Sequence, residues 1–204
     1  MRKQYLVGLA AGLLMFGMVG MANATTLTST ISMDNGYEVF LSTSDMTQGT
    51  SFGAANNWVQ TYQNTTMLSA GNDYYLHVYG YDQGGIAGFL GQFSLSGNDH
   101  TFSNGDTTLL TGMNGWKGNN TGWGNAYSPV TDLGANGVWP WGTISGISSS
   151  AHWIWAGDAT TNDYAYFSTK ISATSQPTPI PGAVWLMGSG LAGMFGLRRR
   201  KQEA

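Results

Sequence analysis

Apolar and polar residues alternate with a two-residue period in run after run of this 204-residue sequence, and no other feature limits the fold as tightly. In "GYEVFLST" Tyr37, Val39 and Leu41 share one side of an extended chain while Glu38 and Phe40 share the other; in "YYLHVYGYD" Leu76 and Val78 oppose Tyr75, His77 and Tyr79. Thr26 to Met33, Trp58 to Tyr62, Ile86 to Leu95, Thr107 to Thr111, Val138 to Ile144, His152 to Ala156 and Tyr164 to Ile171 read as further strands. Between them stand Asn35-Gly36, Ala70-Gly71-Asn72, Gly84-Gly85, Asn104-Gly105 and Gly157-Asp158, the residue types that turns require. Short strands, polar turns and no amphipathic helical pattern predict an all-β fold, a two-sheet antiparallel β-sandwich. Asn114 to Asn136, rich in Gly and Asn, reads as one long surface loop.

Both ends of the chain carry a different pattern. Arg2 and Lys3 precede an apolar run from Leu6 to Val19, and Ala22-Asn23-Ala24 supplies small residues at the spacing signal peptidase accepts, so residues 1–24 read as a signal peptide cleaved after Ala24. The alternative, a retained membrane helix, is opposed by an apolar run of about 14 residues where a span needs roughly 20. At the other end, residues 177–182 read as a Pro-rich linker, 183–197 as a short transmembrane helix and 198–204 as a basic tail. Fifteen helical residues reach about 22 Å, short for a hydrocarbon core of roughly 30 Å. Basic residues stay on the cytoplasmic side, so Arg198, Arg199 and Arg200 place the C-terminus inside and the body, residues 25–176, outside.

Setting the ends aside changes the charge. The body keeps two lysines, Lys117 and Lys170, against ten acidic residues, a net charge of −8 where the whole chain has −3. A body this acidic, with no basic patch, repels phosphate, which excludes nucleic acid as a partner; cations and neutral polymers suit it better. The chain has no cysteine, so disulfides, thiolate metal sites and a cysteine nucleophile are excluded.

Catalytic signatures are missing: no His-Glu-x-x-His, no Gly-x-Ser-x-Gly elbow, no P-loop and no EF-hand. The glycines of "GGIAGFLG" (Gly84, Gly85, Gly88, Gly91) lack nucleotide-loop spacing and fit a bend and a strand. His77, His100 and His152 lie far apart in sequence, and most Asp residues stand in turn contexts that an Asx turn explains. A non-catalytic body is therefore expected, with a two-carboxylate glycan-active enzyme and a ligand-free structural surface protein as the alternatives. No cofactor is expected beyond a structural Ca²⁺, for which Asp158, Asn162 and Asp163, or Asp34-Asn35, offer oxygen ligands. Aromatics are the other abundant feature. Trp153 and Trp155 in "WIW" read as core residues sharing one strand face. Trp116 and Trp123, in the irregular loop, and Trp139 and Trp141 in "WPW" are the candidate carbohydrate-binding residues, forming a flat platform on which sugar rings stack.

Two resemblances add to this reading. Pro179-x-Pro181-Gly182, followed by the Gly-rich span from Ala183 and the Arg198–Lys201 cluster, resembles the PEP-CTERM sorting signal of Gram-negative bacteria, with Ile180 where the name-giving glutamate would stand. The resemblance implies an exosortase-type transpeptidase acting near Pro179, Pro181 and Gly182 at the inner membrane, and delivery of the body to the cell surface or extracellular matrix of an organism that makes exopolysaccharide. "DNGYEVFL", "LSAGNDYYLHVYGYD", "GGIAGFLGQF", "AHWIWAG" and "YAYFSTKI" resemble, over about half the body, jelly-roll domains of the galactose-binding type. That resemblance implies a jelly-roll-like sandwich in contact with exopolysaccharide.

Overall fold

The structure, a computed structural model, describes residues 24–174. The signal-peptide cleavage site apart from Ala24, and the linker, transmembrane and basic segments at the C-terminus, lie outside the described residues. Thirteen strands follow one another: β1 (Thr25–Asp34), β2 (Gly36–Ser42), β3 (Thr50–Ala55), β4 (Tyr62–Leu68), β5 (Tyr74–Tyr81), β6 (Gly88–Leu95), β7 (His100–Phe102), β8 (Thr108–Leu110), β9 (Lys117–Asn119), β10 (Ser128–Pro129), β11 (Thr131–Ala135), β12 (His152–Trp155) and β13 (Tyr164–Ala173).

All pairings are antiparallel and build two sheets. The first has the order β11-β12-β6-β1-β4 with β8 also on β6; the second has β10-β9-β13-β5-β2-β3 with β7 also on β13. The fold is thus an all-β sandwich of a six-stranded and a seven-stranded sheet. Alternation explains the layering. Leu27, Ile31 and Met33 of β1, Phe89 and Phe93 of β6, Val78 of β5 and Phe167 of β13 all point between the sheets, where Trp155 and Trp116 join them.

A second apolar cluster lies on the far face of the first sheet. Leu90, whose neighbours Phe89 and Phe93 point inward, packs there with Trp153, Trp141, Ile144, Ile147 and Ala151. The cover is the segment 136–151, and it corrects the expected strand from Val138 to Ile144. Its backbone turns at Pro140 and at Gly142 (φ 65°), and Asn136 holds it in place, donating from Nδ2 to the Ile144 and Ile147 carbonyls and accepting the Ile144 N–H at Oδ1. Its apolar residues are buried as a lid on the sheet, so they carry the composition of a strand without its ladder. Gly88 is the contact point: a Cβ there would lie 2.8 Å from both the Trp141 and the Trp153 ring. Gly88→Ala is expected to cost about 1 kcal/mol by overpacking, read as a lower midpoint of urea unfolding with an unchanged slope.

The expected loop from Asn114 to Asn136 is also corrected, since it contributes β9, β10 and β11. These strands are two to five residues long, too short for alternation to register. The expected strand Trp58–Tyr62 is corrected as well: residues 58–61 lie outside any strand, and β4 runs from Tyr62 to Leu68. Trp153 and Trp155 are both buried in full, as expected of core residues, but they do not share a cluster: Trp153 stacks on Trp141 at 4.4 Å, while Trp155 meets Phe167 edge-on at 5.7 Å between the sheets. The register shift between Asp132 and Gly134 opposite β12 accompanies this change of side.

Three of the chain's passages between the sheets meet at one end of the sandwich. β1 leads into β2 through Asn35 alone, β5 into β6 through residues 82–87, and β12 into β13 through residues 156–163. The pairings Asp34 with Gly88, Gly36 with Tyr81 and Tyr81 with Tyr164 bring these corners together, and backbone bonds from Asp82 N to Asp163 O and Ala87 N to Ala159 O, both 2.8 Å, join them.

Candidate functional site

The outer face of the second sheet is aromatic. "YGY" in β5 and "YAY" in β13 run antiparallel with Tyr79 opposite Tyr166 and Tyr81 opposite Tyr164, so four tyrosines form a two-by-two block. Gly80 and Ala165 between them point into the core, where Gly80 leaves room for Met33 and Trp155. The ring of Tyr79 lies 5.1 Å from that of Tyr166, 6.2 Å from Tyr81 and 6.3 Å from Tyr164, the last pair within 8° of parallel. Gly36 opposite Tyr81 has a local reason: a Cβ there would run into the Tyr81 ring, so only glycine lets that ring lie flat along the sheet. Glu38, opposite Tyr79, and Asn119, opposite Tyr166, flank the block with polar groups. A shallow depression of about 400 Å³ runs from Tyr79 and Tyr81 past Glu38 to Asn56. Burial, and then the neighbouring tyrosines, push the Tyr79 hydroxyl above its usual range, so it stays a neutral donor and acceptor at ordinary pH.

Beyond Tyr166 the same face carries a polar cluster under a tryptophan. Trp123 meets Tyr166 edge-on at 4.9 Å and stacks on the ring of His77 at 4.7 Å. His77 is fully buried beneath it. Asp45 comes over from the β2–β3 loop: its Oδ2 takes a bond from Lys117 Nζ and its Oδ1 one from Ser168 Oγ, both 2.5 Å. Burial pushes the Asp45 carboxyl up, but these two bonds and the Lys117 charge outweigh it and hold the group below the usual range. His77 Nδ1 lies 3.2 Å from the Gln48 carbonyl, while Nε2 is 3.5 Å from Asp45 Oδ1 and has no hydrogen-bond partner. Burial dominates there and pushes the imidazole below its usual pKa, so His77 is neutral. Aspartate here bridges serine and histidine, whereas a serine nucleophile needs histidine between the other two. The cluster clamps a loop; it is not a triad.

The four tryptophans expected to line a platform are dispersed. Trp116 is 4% exposed and sits in the core, 5.1 Å from Phe93 and 5.3 Å from Phe89, its indole N–H bonded to the Leu110 carbonyl. Trp141 is nearly as buried, against Trp153. Trp139 is 81% exposed, on the lid over the opposite sheet, and Trp123 alone adjoins the tyrosine block. The expectation of one tryptophan patch is therefore corrected: a two-residue spacing implies a shared face only within a strand, and residues 139–141 form a turn. The signal that marks the tyrosine block is present in the sequence as two Tyr-x-Tyr pairs with a small middle residue, and it acquires meaning once β5 and β13 are known to be neighbours.

Asp158, Asn162 and Asp163 are a turn. Asp158 Oδ1 accepts from Thr160 N and Oγ1, and Asn162 Oδ1 accepts from Asp158 N, so two of the three expected calcium ligands, Asp158 and Asn162, hold their own turn together. Among the described residues no three His, Cys, Asp or Glu side chains converge on one point. At the corner beside them, Asp34 Oδ2 accepts the Trp141 indole N–H at 2.8 Å. Burial raises the Asp34 carboxyl above its usual range, the Trp141 bond opposes the rise, and the charge of Asp82 adds to it. On the edge of the first sheet, His152 Nδ1 is 2.9 Å from both Asp132 oxygens, beside an open groove of about 570 Å³ that runs along Thr108 to Asn114.

Compared with models of known protein families, with curated proteins and with solved structures, the chain matches none.

Proposed function

We propose that the body is a non-catalytic glycan-binding module, a jelly-roll-like sandwich of an exported protein that a PEP-CTERM-type tail delivers to the cell envelope or extracellular matrix, where it associates with exopolysaccharide. The observation that carries this reading is the two-by-two tyrosine block on an outer sheet face. Pyranose rings present flat C–H faces that pack on aromatic rings, and their hydroxyls need bonds that water would otherwise make. Tyr79 and Tyr166 supply the faces, and their hydroxyls, Glu38 and Asn119 supply the bonds. A strand-borne site is also rigid before binding, which lowers the ordering cost. The tail, from Pro179, Pro181 and Gly182 to Arg198, Arg199 and Arg200, supports the address: an exosortase-type enzyme would meet it at the inner membrane after signal peptidase has removed residues 1–24.

The test is retention of the purified protein by the producer's own exopolysaccharide and by a panel of immobilised neutral polysaccharides. Replacing Tyr79 and Tyr166 together by alanine is expected to weaken binding at least about tenfold, roughly 1.4 kcal/mol. Trp139→Ala, on the opposite side, is expected to leave it unchanged. Equal binding by the double variant and the parent would refute the assignment of the face, and binding of no polysaccharide by the parent would refute the function.

A further inference from the structure

The corner of the sandwich holds a carboxylate that the protein itself does not satisfy. Asp82 is 8% exposed, its side chain receives no hydrogen bond from the described residues, and its Oδ1 is sealed from solvent without a partner. Water-starved carboxylate oxygens of this kind are rare because the lost hydration goes uncompensated unless a donor or cation replaces it. Asp82 also does not stand alone. The ladder that pairs Gly36 with Tyr81 sets Asn35 across from Asp82, and Asn35 N donates to Tyr81 O at 2.8 Å while Gln83 N donates to Asn35 Oδ1 at 2.5 Å. Asp34 is therefore the neighbouring acid across the two chain crossings, near enough for the Asp82 charge to act on it. One Asp34 oxygen is fixed by Trp141; the other takes no bond from the described residues.

No basic residue answers these charges. The described residues contain two lysines and no arginine, and both lysines are engaged elsewhere, Lys117 with Asp45 and Lys170 with Asp73. Two neighbouring carboxylates, one with a sealed, unbonded oxygen and the other with one oxygen left over from its bond to Trp141, and with no cationic side chain free to answer them, match the needs of a hard metal ion. We propose that Asp34 and Asp82 bind a divalent cation of the calcium class, which joins the β1–β2 and β5–β6 corners of the sandwich. Calcium suits the site better than a smaller ion because it accepts irregular sets of carboxylate and carbonyl oxygens, which turning backbone at a corner provides, whereas magnesium requires a near-octahedral set. With two carboxylates, the affinity belongs to the weak end of the calcium range, about 10⁻⁴ to 10⁻³ M. The ion would be structural: it neutralises the corner and fixes the loop that follows Tyr81, one residue from the tyrosine block.

The experiment is thermal unfolding and calorimetric titration of the full-length chain, stripped with EDTA and then given calcium chloride alone at pH 7. Near-saturating calcium is expected to raise the melting temperature by roughly 5 °C or more, reversibly with EDTA. Asp82→Asn is expected to lose that response while melting no lower than the stripped parent, since it removes a repelled charge and keeps the shape. Asp34→Asn is expected to weaken the response in the same way, and Asp158→Asn, in the exposed turn nearby, to keep it. A parent that melts identically with EDTA and with calcium overturns the proposal. A calcium response undiminished in Asp82→Asn overturns it as well, because the ion then binds elsewhere.

Discussion

Trp155→Ala is expected to destabilise the sandwich by about 3–5 kcal/mol, lowering the melting temperature by roughly 10 °C. Trp155 is fully buried and central: it meets Phe167 of the opposite sheet edge-on, and Gly80 has no side chain so that the indole can reach across. Truncation leaves a cavity that rigid strands on both sides cannot close, so the cost includes lost contacts as well as lost burial. It also strips the Asn162 carbonyl of the indole N–H that donates to it at 2.9 Å. Trp155→Phe separates the two effects, since it keeps most of the ring volume and loses the bond; a cost near 1 kcal/mol is expected there. A Trp155→Ala variant that unfolds within a degree of the parent would contradict the packing described for this core.

Asp45→Ala is expected to cost about 2 kcal/mol, with a dependence on pH that identifies the cause. Asp45 takes bonds from Lys117 and Ser168 and lies over His77, so its removal leaves both donors short of a partner on a face that Trp123 covers. Lys117 is almost half exposed, and water replaces much of what it loses, which keeps the figure below that for a sealed pair. The carboxyl of Asp45 is held below its unfolded value. Its contribution is therefore present above the unfolded value near 4 and is lost as pH falls through the folded one, so parent and variant should converge in acid. His77 acts in the same direction at higher pH. Because folding lowers its pKa, the unfolded chain takes up the proton first, and stability declines as pH falls below about 6.5. His77→Gln should remove that decline; urea midpoints measured from pH 8 to pH 3 read both effects. A constant gap between Asp45→Ala and parent across that range would show that charge plays no part.

How far the sequence could be read depended on strand length. β1, β2, β5, β6, β12 and β13 are central or long, and their alternating residues announced them, because burial on one face leaves a period of two in the chemistry. β3, "TSFGAA", is made of small and exposed residues on a sheet edge, and β9 to β11 are too short to hold a period. The lid 136–151 misled in the other direction. Trp141, Ile144 and Ile147 have a strand's composition, yet they are buried against a sheet that already has its neighbours, so apolar spacing there reports burial and not pairing.

The candidate site was less legible for a related reason. Tryptophan is conspicuous in a sequence, but Trp116 and Trp141 are large apolar bodies that the fold buries, one between the sheets and one under the lid, each with its N–H satisfied. The exposed aromatic face is instead assembled from tyrosines on strands far apart in the chain. From the sequence alone came the all-β class, the acidity of the body, the absence of thiol chemistry and the expectation of processed ends, since these follow from local period and from counting. Only the tertiary structure decided which aromatics meet solvent together and which acids meet each other. Both depend on strand register, and register is set by long-range pairing, Tyr79 with Tyr166 and Gly36 with Tyr81, that no local stretch of sequence contains.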